Sequence, residues 1–138
     1  MDRAREQGSA TLWMLGLCVA VMFLGGLGLD LWRGITVRRE LSAMADATAT
    51  AAANGLDEGA LRAGAVTVDP ARARAIANET LARDMRGARL DAAEVEVDGA
   101  QVSVTLEDDV PFSLLGIFLD GEPFRVRASA TAEPRVRE

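Results

Sequence analysis

Glu107-Asp108-Asp109 is the one run of three adjacent carboxylates in the chain, so it is the first place to look for chemistry. Carboxylate oxygens are the ligands that Ca²⁺ takes. The spacing of an EF-hand is absent around this run, and it reads as a solvated strand end. Catalytic chemistry near neutral pH has little else to use. The chain has no histidine, which removes the commonest general base and metal ligand. A serine nucleophile would have no base partner. The single cysteine, Cys18, lies in an apolar run and reads as a small membrane residue. Gly25, Gly26 and Gly28 lie in the same run, with no phosphate-binding fingerprint around them. The expectation is a protein that is not an enzyme, with no cofactor, no metal and no small-molecule substrate.

The remaining ionisable residue of interest is Asp30, and its place in the sequence gives it meaning. Residues 8–29 carry no charge, and residues 12–29 are almost wholly apolar. As a helix rising about 1.5 Å per residue this stretch is about 33 Å long, matching the roughly 30 Å hydrocarbon core of a bilayer. The run exceeds the roughly 7–15 apolar residues of a secretory signal. The best small-residue cleavage match, Ala43-Met44-Ala45, comes some fourteen residues after Leu29, too far for that role. An uncleaved transmembrane helix over residues 9–32 is therefore expected. Trp13, Asp30, Trp32 and Arg33 are its candidate anchor residues, because aromatic and charged side chains mark the ends of membrane helices. Asp30 reads as hydrated at the membrane edge, or paired with Arg33 or a neighbouring subunit. Membrane lipid is thus the first expected partner.

Charge is distributed unevenly about this span. Residues 1–40 have a net charge of +1 and residues 41–138 a net charge of −7, within a total of −6. An acidic segment repels nucleic acid and anionic lipid, so no nucleic-acid partner is expected. Arg3 and Arg5 precede the span, whereas Arg33, Arg38 and Arg39 follow it. That count favours a cytoplasmic location for the C-terminal side.

The elements that follow are legible in outline. Residues 40–53 are rich in Ala, Leu and Met, and no proline occurs before Pro70. One helix is therefore expected from Ser9 to Ala53, with Gly25, Gly26, Gly28 and Gly34 as candidate kink or close-packing points and Asn54-Gly55 as its stop. Ala45, Asp46, Ala49 and Ala52 are candidate helix-packing residues, because small side chains let backbones approach; packing on the chain's own sheet is the alternative. Residues 56–68 read as loop with a turn of helix. Asp69 as N-cap and Pro70 at the first position open a second helix, with Ala73, Ile76, Ala77, Leu81 and Met85 on one face and Gly87 at its end.

Beyond it the pattern changes to strands. Residues 94–97 and 102–106 alternate, and Asp98-Gly99 between them predicts a hairpin turn. That turn pairs Val97 with Ala100, Val95 with Val102 and Ala93 with Val104, all on one face. A third strand over residues 124–131 would place Phe124, Val126, Ala128 and Ala130 inward. Arg125 and Arg127 would then lie opposite the Glu94–Glu96 face as cross-strand pairs. Residues 111–119 form an apolar connection suited to a short helix at the sheet edge. The expected class is α+β: a long N-terminal transmembrane helix extending into a small domain with a second helix and a three-stranded antiparallel sheet.

Three segments, in order, resemble the TadE/TadG-like proteins of Flp (tight-adherence) pilus assembly. Gln7-Gly8-Ser9-Ala10-Thr11 opens the apolar run. Gly28-Leu29-Asp30-Leu31-Trp32-Arg33 is similar to that family's span exit. Ala43-Met44-Ala45-Asp46-Ala47-Thr48-Ala49-Thr50-Ala51 is similar to its Ala-rich helix. The resemblance covers residues 7–55 and is strongest to the TadG-related group of actinobacteria. It implies a pilin-like shape in a bacterial cell envelope. Residues 1–8 would be cytoplasmic, 9–32 would span the plasma membrane, 33–55 would extend the helix, and 56–138 would be extracytoplasmic. It implies a minor pilin, pseudopilin or assembly factor whose partners are other pilus-assembly or pilin-like proteins. A single-pass envelope sensor or adaptor with no pilus role is the alternative. One feature departs from a processed prepilin: were Gly8-Ser9 a cleavage site, Trp13 would stand at the fifth position, where pilins usually have Glu. An uncleaved, membrane-retained chain is the reading that follows.

Overall fold

Good helix formers fill the chain before its first proline, and a single helix results. The computed structural model of the chain describes residues 3–84, 87, 90–112 and 122–134, with side chains from Ser9 onward. Helix α1 runs Arg3–Ala53. It begins six residues earlier than expected, because Ala4, Arg5, Glu6 and Gln7 all favour helix. Its last turn closes with Gly55 N–H donating to the Ala52 carbonyl at 2.9 Å, and Asn54 Nδ2 donating to the Thr50 carbonyl at 3.0 Å. Gly55 does more than end the helix. A Cβ there would stand 3.1 Å from the backbone nitrogen of Ala73, so glycine permits the close approach of the next long helix.

A short helix, α2 (Glu58–Arg62), follows, with the Asp57 carboxylate accepting from Gly59 N–H and Ala60 N–H. An isolated bridge between Leu56 and Val68 closes the loop that carries it. Helix α3 spans Pro70–Arg83, and the Asp69 side chain accepts from Ala71 N–H and Arg72 N–H, as the sequence indicates. Ala73, Ala77 and Leu81 form its buried stripe and Ile76 is half-buried. Met85 lies outside the described residues.

Strands β1 (Ala92–Asp98), β2 (Gln101–Val110) and β3 (Phe124–Ala132) form one antiparallel sheet in the order β1-β2-β3. The hairpin register differs from the expectation by two residues. Val97 pairs with Val102, Val95 with Val104 and Ala93 with Leu106, and Asp98 faces Gln101 across a Gly99-Ala100 loop. Gly99 occupies the first loop position at φ +60°, where hairpin turns need a positive φ. A two-residue slip preserves the faces, because side chains alternate with period two. Val102, Val104, Leu106 and Val110 are buried, and Val95 and Val97 are half-buried, whereas Ala93 is exposed. On β3, Val126, Ala128 and Ala130 point inward as expected. Phe124 is 54% exposed, because its ring lies beside that of Phe112 at a centroid distance of 6.2 Å rather than in the core. The apolar connection expected as a short helix falls largely on residues 113–121, outside the described residues.

The chain divides into two compact units. One comprises Met1–Ile35 and Pro111–Phe124; the other comprises Thr36–Val110 and Arg125–Glu138. The hydrophobic core belongs to the second unit. Val37, Leu41, Ala45, Ala49, Ala52 and Ala53 of α1 meet Val68, the buried stripe of α3 and the inward face of the sheet. Leu41, Val102, Val104 and Leu106 are its largest fully buried apolar side chains.

Candidate membrane anchor and helix-packing face

The first unit contains a surface that water does not favour. Leu12, Trp13, Met14, Leu15, Leu17, Val19, Val21, Met22, Phe23 and Leu24 all lie exposed around α1. Residues 9–53 form a helix long and apolar enough to cross a membrane, and only 6% of its most apolar window is buried. A core helix of a soluble domain would bury that window, so the exposure favours an anchor.

The four anchor candidates fall into different environments. Trp13 and Trp32 are 80% and 71% exposed, as interfacial aromatic residues would be. Arg33 is also exposed. Asp30 is 7% exposed, so it is covered by protein rather than hydrated. It takes part in a polar interaction. Gly26, one helical turn earlier on the same face, is buried too, and Leu27 is half-buried. Covering an ionisable residue next to an apolar span lowers the cost of placing it near lipid.

The helix-packing candidates divide by face. Ala45, Ala49 and Ala52 are fully buried in the core of the second unit, and Asp46 is exposed. The small residues therefore serve close packing against the chain's own sheet and α3. Ala43 and Ala47 remain exposed on α1. With Glu40, Met44, Thr48, Thr80 and Asp84 they line an open groove of about 410 Å³ between α1 and α3. The Thr48 hydroxyl is fully buried there without a hydrogen-bond partner among the described residues.

The carboxylate run resolves into opposite faces of β2. Glu107 and Asp109 point outward, where Glu107 pairs with Arg127 and Asp109 with Arg125 Nε at 3.2 Å. The hydrogen bond and charge of Asp109 hold the Arg125 guanidinium above its ordinary pKa, with Glu107 and Asp91 adding to this. Ser103 and Thr131 hydroxyls meet at 3.0 Å farther along the same face. The Arg residues thus pair with β2, not with Glu94 and Glu96 of β1, because β2 lies between β1 and β3. Asp91 Oδ2 accepts from the Asp109 N–H at 2.8 Å. The sequence signal for these pairs was present in the alternation of residues 102–109, which continues through the acidic run. Among the described residues no group of three or more potential ligands stands together to hold a metal ion.

Residues 8–66 match the family model described as "Putative Flp pilus-assembly TadE/G-like". The matched segment takes in the apolar span, the Ala-rich half of α1 and α2, and is somewhat less than half of the chain. It is a match to the TadE/G-like class as a whole. No curated protein and no solved structure matches the chain.

Proposed function

We propose that this chain is a membrane-anchored component of a Flp/Tad-type pilus, acting as a minor pilin or pseudopilin-like subunit or as an assembly factor. The observation that carries the reading is the coincidence of the matched segment with a helix of two characters. One part is apolar and exposed, and the other packs by small residues onto a small antiparallel sheet. A pilin-like protein requires both. The role is non-catalytic, and the partners are lipid and other pilus-assembly or pilin-like proteins.

In this reading the N-terminus is cytoplasmic, α1 crosses the plasma membrane once and the acidic domain is extracytoplasmic. The orientation follows the family resemblance against the arginine count. The kinship is to the TadG-related group. Trp13 replaces the glutamate that a polymerising pilin uses near its N-terminus, which supports retention of the uncleaved chain in the membrane.

Deletion of the gene, with complementation, tests the role. The expected result is reduced surface piliation and recovery of the tagged chain with the inner-membrane pilus machinery. Normal piliation together with no such recovery would overturn the reading and favour an envelope sensor or adaptor.

A further inference from the structure

Every aromatic residue of the chain falls in the first compact unit. Trp13, Phe23 and Trp32 lie in its helical part, and Phe112, Phe118 and Phe124 lie in residues 111–124. The core of the second unit contains none. The connection between β2 and β3 is also unusual for a surface loop. Residues 111–119 hold six large apolar residues and no charge. Connections ordinarily run over the surface and carry polar residues. An apolar connection needs cover, and this one clusters with the span rather than with the core.

The described residues at its two ends agree. Pro111 and Pro123 bracket it, and the Phe112 and Phe124 rings meet at 6.2 Å. Phe124 leaves most of its ring uncovered, although Val126, Ala128 and Ala130 on the same strand face are buried. In the same unit Gly26 and Asp30 are covered, while the apolar residues before them are open. The exposed apolar surface of that unit is continuous in character with the span, and lipid is the surrounding that suits it.

We infer that residues 111–124, with Phe112 and Phe124 at their base, form a second lipid-contacting element that seats in the membrane interface. The inference rests on α1 being a membrane anchor. It is independent of the pilus role.

The test uses single-tryptophan variants of the full chain reconstituted in phosphatidylcholine vesicles. W13F/W32F/F124W and W13F/W32F/F118W report on the connection, and W32F, which keeps Trp13, reports on the span. Lipid contact predicts blue-shifted emission from both connection reporters. It also predicts a loss of about half the emission or more in vesicles with brominated acyl chains, as for an aromatic at the membrane interface. Aqueous iodide would quench them weakly. Strong iodide quenching of both connection reporters, with Trp13 quenched by the brominated lipid, would overturn the inference and leave the anchor intact. Failure of brominated lipid to quench Trp13 would remove the anchor and the inference together.

Discussion

Ala45 shows how much a residue's identity leaves open. Its small size marks a close approach, yet size alone does not name the surface approached. Ala45, Ala49 and Ala52 stood as candidates for packing against a partner or against the chain's own sheet, and the structure buries all three in the core. Alanine carries a weak hydrophobic signal, so sequence periodicity could not decide between the two. Ala45→Leu should destabilise the folded domain by about 1–3 kcal/mol through overpacking, measured by chemical denaturation of the detergent-solubilised chain. A polar exposed neighbour behaves otherwise, and Asp46→Ala in the same assay should stay within about 0.5 kcal/mol.

The acidic run makes the complementary point. Residues that first suggested a metal site are held by arginines from the adjacent strand. A double-mutant cycle over Glu107 and Arg127 should give a coupling of about 0.2–1 kcal/mol that shrinks as salt rises. Arg125 behaves differently with pH. Its folded-state pKa is raised by Asp109, so its contribution is fully present below the unfolded value and is lost only as pH rises through the folded one. That window lies in strong alkali, so a titration through neutrality leaves the arginine side of the pair unchanged.

Elements were read more securely than single contacts, because caps and periods have local causes. Asp69-Pro70 opened α3 where the structure begins it. Asp69→Ala removes the side-chain acceptor from two backbone N–H groups and should cost about 0.5–2 kcal/mol in the same denaturation assay. The hairpin was legible as a hairpin, and its core face was legible too. Its register was not, since Asp98-Gly99 and Gly99-Ala100 both place glycine at a turn and both preserve the alternation. The pairing of β3 with β2 rather than β1 depends on contacts distant in sequence, and no local signal fixes that order.

At the scale of the molecule, the same helix supplies an exposed apolar surface and part of a buried core. The sequence made the first legible through an uncharged run matching a bilayer, and the second through Ala-rich helix. The α+β class followed from both. Orientation is where sequence rules and family likeness point in opposite directions: Arg33, Arg38 and Arg39 follow the apolar run, whereas a pilus component needs its domain outside the cytoplasm. The proposed role depends on that orientation. Fusing a compartment-sensitive reporter after Glu138 and assaying intact cells tests it most directly. The account predicts activity from a reporter that functions only outside the cytoplasm, with none from its cytoplasmic counterpart. Activity of the cytoplasmic reporter alone would contradict it, leaving a membrane-anchored interaction domain facing the cytoplasm.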